Sequence, residues 1–397
     1  MKQPQNSNQK SSLTRRNFIA ASAAVAAPYI LGAQSKSGNR KPVITDGDFA
    51  WEVEHDWGMA SLPPEIKYGN THSVCQDRNG NIYIHHTVHP DSQSSDAVVE
   101  FDDKGQFVKS WGAMFRGGAH GMHYQVEGNN EYLYFCDEKH GIVTKRTLDG
   151  EEVWTMGYPQ SSPIYQKGPG SPSPGGSAGL NYRPTNFCID PDTLDFWVGD
   201  GYGSSYMFHY NQQKAYPELV RVFGGPGSAG PAPAGGPGAA KGKGKGKGKG
   251  KGGPQAPAPI DSMRQPHGNW IDSRTGDKVL LVADRGHGRI VRYTLDDEPI
   301  DIIEGTRSPC HFHQYEDLLV VPDLQARVSI IQGNKVVSTV GAPKEDGPKN
   351  PPRTTQNRGD FVPGQFVNPH GAWFDHDGNV FVAEWVEIGR VSKMTRV

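Results

Sequence analysis

Apolar residues along this chain fall in short runs, three or four residues long, aromatic or β-branched, and set between polar turns. Six such runs are Ile82-Tyr83-Ile84, Tyr132-Leu133-Tyr134-Phe135, Phe196-Trp197-Val198, Leu280-Leu281-Val282, Leu318-Leu319-Val320 and Val380-Phe381-Val382. Each follows a first apolar segment, as in Thr71-His72-Ser73-Val74-Cys75-Gln76-Asp77 and Pro184-Thr185-Asn186-Phe187-Cys188-Ile189-Asp190. The units begin near Thr71, Ala119, Pro184, Pro266, Pro309 and Pro369, and Gly112, Gly157, Gly224, Gly305 and Gly341 close the first five. Units of about 40 residues, each with four short strands, are the blades of a propeller. No segment after Gly32 sustains the 3.6-residue period of a helix. The pattern therefore predicts an all-β, six-bladed β-propeller over residues 70–397, with residues 34–69 closing or flanking the ring.

Composition agrees with many strands and tight turns: 50 Gly, 31 Pro and 10% aromatic residues in 397. Residues 225–259 carry a Lys-Gly run between Ala/Pro/Gly stretches; with no apolar content to offset chain entropy, that insert is expected to be disordered. Residues 159–183 and 342–366 are also long, polar, Gly- or Pro-rich connections. The formal charge is −2, but it is unevenly placed. Setting aside Lys2, Lys10, Arg15 and Arg16 takes it to −6, and setting aside the six lysines of 241–251 takes the remainder to −12. An acidic body argues against a nucleic-acid partner.

Residues 1–33 have the form of a cleavable twin-arginine signal peptide. Arg15-Arg16 precedes a mild Ala-rich stretch too short and too interrupted, by Ser22 and Pro28, to span a membrane. A periplasmic or secreted protein follows, without a membrane partner once the signal is cleaved, and acting as a monomer on a small-molecule or peptide substrate. The four cysteines, Cys75, Cys136, Cys188 and Cys310, show no CxxC spacing, and buried free thiols are expected.

The candidate chemistry lies in a register rather than in a local motif. Pro266-His267-Gly268-Asn269-Trp270 recurs as Pro369-His370-Gly371-Ala372-Trp373, and Ala119-His120-Gly121 keeps the His-Gly pair. In blade order the residue just before each inner strand is His72, His120, Thr185, His267, Cys310, His370. The His-Gly copies belong to blades 2, 4 and 6, which lie about 120° apart in a ring of six, so the three imidazoles should meet on the axis. Three neutral imidazoles with an open position suit catalytic zinc, where carboxylates would suit calcium or magnesium. His72 shares the ring and is either a fourth ligand or a substrate contact. His123 and His313 are expected to pack behind it; His85, His86 and His89 cluster on the second strand of blade 1 and are expected to be exposed-loop histidines. Asp200-Gly201-Tyr202 and Ala283-Asp284-Arg285 occupy one point of blades 3 and 4, where Tyr202 could act as a base and Arg285 as an anion clamp.

These residues resemble the peptidyl-α-hydroxyglycine α-amidating lyases (peptidylamidoglycolate lyases), zinc enzymes among the NHL-repeat propellers. The likeness covers roughly residues 70–397 apart from the low-complexity loops. It is most specific in Arg183-Pro184-Thr185-Asn186 through Tyr202, in Pro266-His267 through Ile290, and in Pro369-His370. It implies zinc on His120, His267 and His370, a catalytic Tyr202, and a substrate-binding Arg285. The reaction it implies splits an α-hydroxyglycine peptide into an amide and glyoxylate, with the Tyr202 pKa lowered by nearby cations.

Three positions depart from the family's pattern. A second arginine is replaced near Thr87, for which Arg116 is the expected substitute in substrate binding. The acidic residue that accompanies a structural Ca2+ ion is replaced by Gly371, and a small residue is replaced by His72. Another zinc-dependent lyase or hydrolase on the same histidines, or a non-catalytic propeller binding a peptide or glycan, are the alternative readings.

Overall fold

The computed structural model describes residues 41–165, 182–226 and 258–397, together with the backbone of Ile30 and Leu31. The twin-arginine segment, apart from those two residues, and the Lys-Gly run lie outside them.

Six antiparallel sheets stand around a common axis. Blade 1 comprises Thr71–Gln76, Ile82–His86, Val98–Phe101 and Phe107–Trp111, in that order from the axis outward. Blades 2 to 5 repeat the order from inner strands Ala119–Glu127, Asn186–Ile189, Pro266–Asp272 and His313–Tyr315. Blade 6 contributes Pro369–Phe374, Val380–Glu384 and Arg390–Arg396, and its fourth strand is Phe49–Glu54, paired antiparallel with Arg390–Arg396. An early strand and the last strand of the described residues thus share one sheet, which continues outward through Val43–Asp46 and closes the ring.

The apolar runs form the second strands and bury between neighbouring blades. Tyr134, Cys136 and Trp154 of blade 2 pack on Phe187, Phe196 and Phe208 of blade 3, and Leu281 and Ala283 of blade 4 pack on Leu319 and Val321 of blade 5. All four cysteines are buried and free.

Acidic residues at strand ends build the turns and hold the loops that lead to the axis. Asp77 Oδ1 accepts from the N–H groups of Asn79 and Asn81 at 2.9 and 2.8 Å, and Asp375 repeats this with Asp377 and Asn379 at 3.0 and 2.8 Å. After the second strands, Asp200, Asp284, Asp323 and Glu384 are fully buried. They accept from the backbone N–H of Arg183, Arg264, Arg307 and Val367, at 2.7, 2.8, 2.7 and 2.7 Å. Each buried carboxylate thus fixes the approach to the ring residue of its own blade.

Blade 1 uses an imidazole at this point. His86 Nδ1 accepts from Val88 N–H at 3.0 Å. His85 and His86 are fully buried, not in an exposed loop. They lie on a second strand whose two faces are both covered by neighbouring blades, so a polar side chain there has no route to water.

Candidate metal centre

Four inner strands slip register at the ring position, between Thr71 and Ser73, Ala119 and Met122, Pro266 and Asn269, and Pro369 and Gly371. A bulge re-aims a side chain that the alternating pleat would otherwise place in the sheet. The rings of His120, His267 and His370 converge as a result, with centroids 4.8, 4.8 and 4.7 Å apart.

Each of the three is held in the same way. His120 Nδ1 lies 2.5 Å from Thr185 O, His267 Nδ1 2.7 Å from Cys310 O, and His370 Nδ1 2.9 Å from His72 O. A carbonyl only accepts, so each Nδ1 carries the hydrogen and each Nε2 keeps its lone pair. The carbonyl belongs in every case to the ring residue of the following blade, so even blades supply imidazoles and odd blades supply their anchors. This is the orientation that metal-ligating histidines take from an outer partner.

The glycine after each histidine is what allows the approach. A Cβ on Gly121 would lie 2.6 Å from Thr185 O, on Gly268 2.6 Å from Cys310 O, and on Gly371 2.5 Å from His72 O. The same contact means that a side chain at 371 would require the backbone to shift.

Burial lowers the pKa of all three histidines, to about 3 for His120 and well below the ordinary value for His267 and His370. They are neutral ligands in waiting. His370 Nε2 is buried with no hydrogen-bond partner, and so is His72 Nδ1. His72 lies 4.9 and 4.6 Å, centroid to centroid, from His120 and His370. Two sets of donor atoms fall within 4.8 Å of one another: His72, His120 and His370, and His267, Cys310 and His370. Neither set is the alternate-blade tripod itself. The Tyr202 hydroxyl stands between two of its members, 3.2 Å from Nε2 of both His120 and His267. Orphaned nitrogens, neutral imidazoles and fixed tautomers fit a divalent first-row ion.

Tyr202 and Arg285 reach this centre from the turns after their second strands. Arg285 Nη1 donates to Tyr202 Oη at 3.1 Å, and Nη2 to Gln265 Oε1 at 3.3 Å. Among the described residues Arg285 forms no salt bridge with an acid, although only 5% exposed. Arg183, which donates to Glu138 at 2.7 Å, and Arg285 both lie over the Tyr202 ring, 5.2 and 5.1 Å from its centroid. The phenol is nevertheless raised above its ordinary pKa, because burial outweighs the pull of Arg285. This corrects the expectation of a lowered value.

Arg116 is exposed and donates to Ser95 Oγ at 3.1 Å. The cation whose field reaches His72 is Arg353. Its guanidinium lies 3.6 Å over the Trp385 ring and 3.3 Å from Asn70 Oδ1. Sequence reasoning missed Arg353, Arg183 and Gln265. The last two immediately precede the proline before a ring residue, a position that could have flagged them. His123 and His313 pack behind the ring, against Trp270 at 5.4 Å and Trp373 at 3.6 Å.

Fold and site together define a six-bladed β-propeller with a ring of imidazoles at one mouth of its channel. No protein-family model matches the sequence, and no curated protein matches it. Among solved structures, the chain is similar to a protein of unknown function from Bacteroides thetaiotaomicron, at 12% identity over 90% of this chain and 80% of that one, with a TM-score of 0.50. It is also similar to a streptogramin B lyase at 11% identity, over 87% of this chain and 98% of that one, with a TM-score of 0.49. A putative gluconolactonase has 11% identity, over 85% and 94%, with a TM-score of 0.47. At such identities the likeness concerns the fold alone.

Proposed function

We propose that the protein is a metal-dependent lyase that cleaves the N–C bond of an α-hydroxyglycine-type amide, releasing an amide and glyoxylate. One observation carries the reading: Tyr202 Oη lies 3.2 Å from two imidazole nitrogens of the ring and 3.1 Å from the Arg285 guanidinium. The proposed base, anion clamp and metal ligands would thus share one point. His120, His267 and His370 would hold the ion through Nε2. Bound there, a divalent cation supplies the charge that polarises the substrate's hydroxyl or carboxylate and favours the tyrosinate.

In the proposed reaction Tyr202 takes the hydroxyl proton, the C–O bond becomes a carbonyl, the C–N bond breaks, and the amide nitrogen gains a proton. Arg285 grips the carboxylate through two N–H groups and holds the reacting carbon over the ring. In the metal-free protein the Tyr202 O–H can only donate toward a histidine Nε2, since Arg285 has no acceptor to offer it. That proton has to leave before the oxygen can serve as a base. The twin-arginine signal would deliver the protein to the periplasm or outside the cell.

The test is release of glyoxylate from an α-hydroxyglycine amide by the purified, zinc-loaded protein. Release that disappears in Tyr202→Phe supports the reading. Bound metal without any release favours the alternative of another lyase or hydrolase, which the loss of a blade-1 arginine at Thr87 keeps open.

A further inference from the structure

We propose that His72 is a fourth protein ligand, so that one ion is held by imidazoles from blades 1, 2, 4 and 6. The proposal rests on the metal reading of the ring given above. It deepens that reading by changing the coordination number and the kind of ion the site selects.

The spacing is the first argument. His72 stands 4.9 Å from His120 and 4.6 Å from His370, ring to ring, which matches the 4.7–4.8 Å edges of the tripod. Its donor atom falls with those of His120 and His370 inside a 4.8 Å set, which His267 does not share. The state of its side chain points the same way. His72 is only 6% exposed, and its Nδ1 is buried without a hydrogen-bond partner. The other odd-blade ring residues are accounted for. Thr185 Oγ1 donates to Gly199 O and Pro266 O at 2.9 and 2.8 Å, and Cys310 Sγ lies 3.5 Å from Ser308 O. A buried imidazole nitrogen left unpaired costs stability unless something else uses it.

His370 limits the number of ions. Both donor sets contain His370, and its Nδ1 is committed to His72 O. Only Nε2 remains, and one nitrogen cannot serve two ions. The two sets therefore cannot be filled by separate ions at the same time, and a single ion has to draw on both.

Four neutral imidazoles leave the ion its full dipositive charge. They also fill a tetrahedral shell, so substrate has to enter at a fifth position. Ions that accept five or six nitrogen and oxygen ligands suit such a site best.

The experiment uses the full chain, with Co2+ as a spectroscopic probe and Zn2+ affinity measured by chelator competition. His72→Ala, His72→Phe and His267→Ala are compared with the unaltered protein. His72→Phe keeps ring volume without a donor atom, and melting of each metal-free variant shows whether the fold survives.

Loss of His72 is expected to convert the weak visible bands of a five-coordinate cobalt ion into the intense bands of a four-coordinate one. Zinc affinity should fall by roughly tenfold or more. An unchanged cobalt spectrum in both His72 variants overturns the proposal. If affinity then falls only in His267→Ala, the tripod and the proposed lyase stand without His72. Binding lost in the His72 variants but retained in His267→Ala overturns both the four-imidazole site and the tripod, and leaves the His72, His120 and His370 set. An unaltered protein that binds neither ion overturns both.

Discussion

Replacing His85 with leucine should remove about 1.4 kcal/mol of acid sensitivity from the fold between pH 7.5 and 5.5. His85 is fully buried, and neither ring nitrogen makes a well-formed hydrogen bond. Its ring meets Phe115 and Phe135 edge-on, at 5.3 and 5.0 Å. Burial, helped by His86 and weakly opposed by the His120 backbone, lowers its pKa to about 3.

In the unfolded chain the same imidazole titrates near 6.5. Above that value both states are neutral, and its contribution to stability is fully present. As pH falls below 6.5 the unfolded state takes up a proton that the folded state refuses, and stability is lost down to about pH 3. At pH 5.5, one unit below the unfolded pKa, the loss is RT ln 11, about 1.4 kcal/mol. The figure is insensitive to the folded pKa provided that it stays well under 5.5.

Urea unfolding of the metal-free protein and of His85→Leu, at both pH values, measures it. The other buried histidines titrate in both proteins and cancel. At pH 7.5 the variant should be about as stable as the parent, because an apolar group of similar size replaces an unpaired polar one. At pH 5.5 it should be the more stable by about 1.4 kcal/mol. An identical difference at the two pH values would refute the reasoning, since it would mean that the imidazole is hydrated or paired in the folded state.

Gly371→Ala should cost about 1–3 kcal/mol, because its Cβ would sit 2.5 Å from His72 O and 2.9 Å from Ser73 Cα, both backbone atoms. Gly157→Ala, whose Cβ meets only Gly141 O at 4.0 Å, is the control and should unfold at the parent's denaturant midpoint. Tyr202→Phe should slow glyoxylate release by roughly 10²–10⁴-fold with metal content retained, and a parental rate would exclude Tyr202 as the base. Arg353→Ala should raise KM for a carboxylate substrate about tenfold with kcat little changed, the loss of one charge-assisted contact; an unaltered KM would remove Arg353 from the substrate's path.

The propeller was legible in the sequence because each blade repeats one physical problem. An apolar second strand has to bury both faces, and an acidic residue has to turn the chain, as Asp77 and Asp375 do with the same pair of N–H groups. The histidine ring was legible for the same reason, since register within a repeat translates into position around an axis. What the register could not carry was depth. His85 and His86 look like loop residues in the sequence, and only the packing of blade 1 against its neighbours encloses them. Nor could it carry residues outside the repeat. Arg353 comes from a Pro-rich connection between blades rather than from a repeated strand, and its charge reaches His72. The Tyr202 phenol shows a third limit. Its cationic neighbours were visible as residues, but the burial that outweighs them is a property of the assembled mouth.

Anomalous diffraction from crystals grown with zinc, recorded on both sides of the zinc absorption edge, tests the central claim most directly. The account predicts one peak per chain on the propeller axis, bounded by the Nε2 atoms of His120, His267 and His370. A peak elsewhere, or none at the axis with zinc in excess, would contradict it.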